Sequence, residues 1–259
     1  MLYLGFLVLE GILSDELFQH FMLLFVAIRI LVSPHLATLH CDYAGSLLCK
    51  FVRDAEALYS KEILVYNVHN LLHLADDVKR LGCLDDFSAF PFENKLGHLK
   101  KLVKKPQFPL QQVVRGINEM QQQQFSSCDM SDKPAVSSEH TDGPLIASFR
   151  NAAQYRKLKT KKWMLSAGEN NNCVLLDGDV PAVVKNILST ASGITLLCQK
   201  FSCISDVFSH PLKSSALNIY RVSEEDELLF PVQLRDILCK CMLIPRTSED
   251  SFVVIPLLH

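Results

Sequence analysis

The chain has 259 residues, 49% of them hydrophobic, with 26 Lys+Arg against 28 Asp+Glu. That is enough apolar material for one large core or two ordinary domains, and it excludes wholesale disorder. A formal charge of -2 excludes nucleic-acid binding through bulk charge, so any such contact has to come from a local basic patch. Nine Cys, an odd number without repeating spacing, suit reduced and buried thiols of the cytosol or nucleus better than a secreted disulfide framework.

The opening MLYLGFLVLEG has no Lys or Arg near its start and no small-residue cleavage site before Glu10, so it does not read as a signal peptide. Asp15 and Glu16 interrupt the apolar stretch. The next uncharged run, Leu17 to Ile28, is 12 residues long and carries Gln19 and His20, whereas a membrane span needs about 20 apolar residues. A buried helix is expected, and no membrane partner. The abrupt apolar start leads to the expectation that the chain is the C-terminal piece of a longer protein.

Residues 1 to 124 read as helical. Ser14 is a suitable N-cap with Asp15 and Glu16 in the first turn, and that helix runs to Val32 before Ser33-Pro34. A second helix is expected from Leu36 to Tyr59, and a third from Val65 to Leu81 with Gly82 as its stop. Between Ser88 and Lys104, the residues Phe92, Leu96, Leu99 and Val103 fall on one helical face, and Pro106 ends that helix. A last helix begins at Pro109, carries Val113, Val114 and Ile117, and runs into Gln121 to Gln124.

The stretch from Phe125 to Pro144 is rich in Ser, Asp and Pro without an apolar period, and reads as a linker. Beyond it come short apolar runs: Lys162 to Leu165, Cys173 to Leu176, Ile194 to Phe201, Leu217 to Val222, Cys239 to Ile244 and Phe252 to Leu257. Turn signals separate them, among them Asp177-Gly178-Asp179, Ser192-Gly193 and His210-Pro211. Leu234 to Cys239 is compatible with a short helix. The expected fold is therefore α+β: a helical domain over 1–124, a linker over 125–144, and a small β-rich domain, barrel or sandwich, over 145–259.

His69 and His73 stand four apart on the third helix with Asp76 and Asp77 one turn on, a spacing that can bind zinc. HNLLH has the outline of the zincin motif but places Asn70 where the general-base Glu must stand, which excludes a metalloprotease. The bland alternative is a pair of helix-packed histidines. There is no CxxC. Cys239-Lys240-Cys241 are read as diverging to opposite faces of a strand, which leaves no four-ligand site. Nucleophile elbow, phosphate loop and dinucleotide fingerprint are all missing. No cofactor is expected.

Two basic clusters remain. Lys95, Lys100, Lys101, Lys104 and Lys105 line the polar sides of the fourth helix. From Gly143 to Gly168 there is no acid, while Arg150, Arg156, Lys157, Lys159, Lys161 and Lys162 accumulate beside Tyr155 and Trp163. Such side chains can contact phosphate without sequence preference; the alternative for each cluster is a solvated face.

Within Tyr66 to Val114, His69, His73, Leu74 and Ala75 form a His-xxx-His-Leu-Ala helix. Phe90, Pro91, Phe92 and Glu93 then form an aromatic-Pro-Phe-Glu segment opening a basic helix. In that order the two motifs resemble the domain of unknown function that follows the catalytic core in CACTA (En/Spm-type) transposases, over roughly residues 14 to 120. NCVLLDGD and FVVIPLLH resemble the β-rich tail of animal proteins related to these transposon products. The resemblance implies a nuclear protein of transposon origin, whose complete relatives cut and join DNA with a metal-bound carboxylate triad on a ribonuclease-H-like fold. The core carrying the first two Asp residues would precede residue 1, and Glu93 is a candidate for the third acid or simply a helix-dipole carboxylate. The chain is thus expected to be a non-catalytic transposase-derived fragment that contacts DNA through its basic segments. The alternatives are a domesticated module with a protein partner or self-association, and the C-terminal part of an active transposase.

Overall fold

Ser14 opens the long core helix as its position suggests: its Oγ accepts the Leu17 N–H, and Asp15 and Glu16 follow in the first turn. The computed structural model describes residues 2–126, 133–168, 171–191, 193–246 and 251–258. A short helix α1 (Gly5–Leu9) precedes α2 (Asp15–Val32), and Ser33 alone separates α2 from α3 (Pro34–Leu58). Pro34 fits the first turn of α3, where no N–H is needed. Met22, Val26, Ala27, Ile30 and Leu31 of α2 are fully buried, as an all-round apolar helix requires. His20 is buried too, but satisfied: its ring nitrogens lie 2.8 Å from Phe51 O and 3.1 Å from the Tyr59 hydroxyl, tying α2 to the far end of α3.

The third expected helix is broken into α4 (Tyr66–His69), a 3-10 turn (Asn70–His73) and α5 (Leu74–Leu81). Gly82, at φ +98°, stops α5 where a side chain would be strained. Two further helices, α6 (Phe90–Leu102) and α7 (Pro109–Ser126), form an arm.

The second half is an antiparallel β domain. Its strands are β1 (Ala135–His140), β2 (Ala153–Lys159), β3 (Met164–Ser166), β4 (Cys173–Leu176), β5 (Val180–Thr190), β6 (Gly193–Asp206), β7 (Tyr220–Glu225), β8 (Phe230–Gln233), β9 (Ile237–Arg246) and β10 (Ser251–Pro256). Six of them close a ring in the order β5, β4, β9, β10, β7, β6 and back to β5. The domain is therefore a barrel. Its interior is a cluster to which all six ring strands contribute: Cys173 and Leu175, Val183, Phe201, Tyr220 and Val222, Cys241, and Val254.

β5 and β6 are long enough to leave the ring. Their outer halves carry β2 on one side, with β1 and β3 attached, and β8 on the other. A second cluster, with Leu158, Leu165, Val174, Val184, Ile187 and Leu196, fills this lobe. On the remaining side Leu217, Ile219, Val253 and Ile255 of the barrel share one hydrophobic cluster with α2 and α3. Each buried aliphatic side chain there contributes about 1.5–3 kcal/mol.

The α+β expectation holds: helices precede an antiparallel β domain. Several details differ. Residues 127–132 of the expected linker lie outside the described residues, as does Ser192 of one turn signal. Within the rest of that linker, Ala135–His140 is a strand, because Val136 packs on the outer lobe and the backbone pairs with β2. The expected helix at Leu234 to Cys239 is a single 3-10 turn, Leu234–Asp236, after which β9 begins.

Candidate functional site

The acid-free basic segment becomes β2 and its flanks. Lys157 and Lys159, two apart on the strand, point to one side. Both are exposed, as is Lys162 beyond the strand end. Arg150 precedes the other end of β2, so it and Lys162 flank opposite ends of the strand. Arg156 does not stand free: its Nη2 lies 2.8 and 2.7 Å from the two oxygens of Asp142, which the β1–β2 pairing folds back onto it. Hydrogen bonding from His140, and then from Arg156, holds the Asp142 carboxyl below the usual carboxylate range. Lys161 also has an interaction of its own. Tyr155 and Trp163 pack against the outer-lobe cluster. The stretch without acid in sequence is thus partly neutralised in space, and its aromatics are used for packing.

The second basic cluster lies on the arm. α6 and α7 meet at Leu102 and Gly116, where a Cβ on Gly116 would come within 2.8 Å of a Leu102 methyl. Gln112 fastens the turn between them: its Oε1 accepts the N–H groups of Lys104 and Lys105, and its Nε2 donates to the carbonyls of Lys105 and Gln107. Phe108 ends the turn at φ 54°, a conformation costing about 1–3 kcal/mol for a bulky residue.

No residue of α6 is buried. Phe90, Phe92, Phe108 and Leu110 are each 72–73% exposed, and Leu96 and Val114 stand open beside them. Lys95, Lys100, Lys101, Lys104 and Lys105 are exposed on the same arm, and among the described residues no ion pair engages them. Of the face expected from Phe92, Leu96, Leu99 and Val103, the first two are exposed and the last two half-buried, Val103 lies just past the helix end, and α7 approaches at Leu102.

The remaining candidates are less productive. His69 and His73 approach edge to face, ring centroids 5.6 Å apart. The carboxylates that could join them are engaged elsewhere: Asp76 with Lys79 and Asp77 with Arg80. Among the described residues no group of three or more His, Cys, Asp or Glu is arranged to hold a metal ion. Glu93 sits in the first turn of α6, where its charge favours the helix dipole.

Cys239 and Cys241 correct their expectation. Two residues apart, they share one face of β9: Cys241 belongs to the barrel interior, with Cys173 directly opposite it on β4, and the half-buried Cys239 packs against that cluster. Sequence reasoning also passed over Arg29. Its signal was visible: it is the first charge to follow the uncharged run from Leu17 to Ile28. It is 1% exposed and lines a cleft between the helices and the barrel.

Residues 139–257 match the model of a domain of unknown function (DUF8592), a span that runs from the end of β1 through β10. The helical half lies outside that match. Neither a curated protein nor a solved structure matches the chain.

Proposed function

We propose that this chain is a non-catalytic interaction module whose α6–α7 arm docks an acidic, amphipathic segment of a partner protein. One observation carries the reading: three aromatic and three aliphatic side chains stand uncovered on an arm that also presents five lysines without an ion pair among the described residues. A merely solvated helix hairpin has no use for so many exposed apolar side chains, whereas exposed apolar groups accompanied by charge are what protein interfaces bury. Covering one such Phe or Leu contributes about 1.5–3 kcal/mol. The lysines select partners of opposite sign and speed the encounter. The resemblance of Tyr66 to Val114 to the CACTA-associated domain supports descent from a transposase and a nuclear setting.

A second reading, phosphate contact with DNA, is favoured by the exposure of Lys157 and Lys159 on β2 and of Lys162 just beyond it. Fluorescence titration of the full chain with an acidic amphipathic helical peptide and with mixed-sequence duplex DNA distinguishes the two. The docking reading predicts saturable peptide binding that persists at physiological salt, because its apolar part is not screened, and duplex binding only at low salt. Salt-sensitive binding of duplex without binding of peptide would replace the protein partner with DNA.

A further inference from the structure

Between the end of α2, the start of α3 and one end of the barrel lies a cleft of about 780 Å³. Its walls are mostly apolar, with Leu36, Leu217, Leu257 and Trp163 among them, and Lys162, Lys240 and Asp179 also line it. At its inner side sits Arg29.

Arg29 is a charge out of place. Its guanidinium donates only to backbone carbonyls, at 3.4 Å to Pro256 O and 3.5 Å to Leu2 O, both long for charged donors. Its Nε is buried without a partner. Burial pushes its pKa down to about 10, so it stays protonated at neutral pH. Among the described residues the groups whose charge it feels are Tyr3, whose ring centre lies 5.8 Å from the guanidinium carbon, Cys239 and Cys241, none of them a carboxylate. A buried guanidinium without an opposing anion is costly, and proteins ordinarily pair such a group. Here the unpartnered Nε belongs to a residue that lines the cleft, and Asp179, which shares that lining, is not among the charges Arg29 feels.

We infer that this cleft binds a small apolar molecule bearing a single carboxylate, with the carboxylate received by Arg29 and the apolar body lying against Trp163 and the leucines. A planar guanidinium suits a carboxylate in particular. One deep cation in an apolar wall favours one negative charge over the multiple charges of a phosphate. Lys162 and Lys240 lie where they attract the ligand electrostatically. Cys239 lines the same cleft and is half-buried, so an occupant shields its thiol. This inference is independent of the arm.

The test is calorimetric titration of the full chain with octanoate and with benzoate, and with inorganic phosphate for charge alone. Saturable binding of at least one carboxylate is expected, with phosphate about tenfold weaker or more. Arg29→Gln weakens it about tenfold or more. Because that variant can fail to fold, Lys162→Glu at the surface provides a second reading, a weakening of a few-fold with an unchanged melting midpoint. Iodoacetamide labelling followed by mass spectrometry adds a third: octanoate slows alkylation of Cys239 and leaves the exposed Cys49 and Cys203 unchanged. Absence of heat with both carboxylates, phosphate binding as tightly as they do, a folded Arg29→Gln variant binding like the parent, or equal protection of all three cysteines would each overturn the inference.

Discussion

Arg29 of α2 and Pro256 of β10 are joined across 227 positions of sequence, both guanidinium Nη atoms lying 3.4 Å from the proline carbonyl oxygen. The contact sits beside a cluster in which helix residues such as Ile30 and Leu31 pack with Val253 and Ile255 of the barrel. The helices and the barrel therefore share apolar burial.

Shared burial has a consequence for unfolding. Ile255 is fully buried on the helix-facing side of β10, and Ile255→Ala should cost about 2–5 kcal/mol. In urea, the far-UV helical signal and the fluorescence of Trp163 should move together to a lower midpoint. A helical signal that keeps its parental midpoint while Trp163 responds would show that the cluster does not couple the halves.

A pH dependence follows from Asp206. Its carboxylate accepts the Ser215 N–H at 2.8 Å and lies 3.4 Å from the Ser214 hydroxyl, holding the turn before β7. Burial pushes its pKa up, but the hydrogen bonds from Ser215 and Ser214, with Lys213 nearby, together bring it below the ordinary value. A depressed carboxylate stabilises the fold above its unfolded pKa, about 3.9, and the contribution fades as pH falls through the folded value. Asp206→Asn should cost about 1 kcal/mol or less at neutral pH, with solvent screening keeping it small. The difference from the parent should shrink as the pH falls below the ordinary carboxylate range. A difference that stays constant with pH would separate Asp206 from this linkage.

The arm should loosen without unfolding the rest. Gln112→Ala removes the clasp on the turn between α6 and α7, and Gly116→Val forces a side chain into Leu102. Either substitution should accelerate hydrogen exchange over residues 90–120 and leave the global urea midpoint in place. A lowered global midpoint would mean that the arm carries core stability.

Much of the helical half was legible because its signals are local. The Ser14 cap, Pro34, Gly82 and the spacing of Phe92, Leu96, Leu99 and Val103 each act within a turn or two of chain. β5 was hidden for the opposite reason. Most of Val180 to Thr190 is buried, with Val183 in the barrel interior and Val184 and Ile187 in the outer lobe, so the strand shows no alternation of apolar and polar residues. β2 was masked by its charges, although Gln154 and Leu158 are buried at a spacing that a strand allows. The pairing of Arg156 with Asp142, and the meeting of Cys173 with Cys241, depend on strand register and could not be read from spacing. For Cys239 and Cys241 the period of two was sufficient, and applying it places both thiols on one face.

The claim that the arm is the docking surface is tested most directly by comparing two variants of the full chain in titrations with the acidic amphipathic peptide. Phe92→Ala combined with Leu96→Ala removes exposed apolar groups, and Lys157, Lys159 and Lys162→Gln together remove the charge of β2 and its flank. The account predicts that the first weakens binding about tenfold or more with an unchanged melting midpoint, while the second changes it little. Binding untouched by the arm substitutions and lost with those three lysines would contradict it.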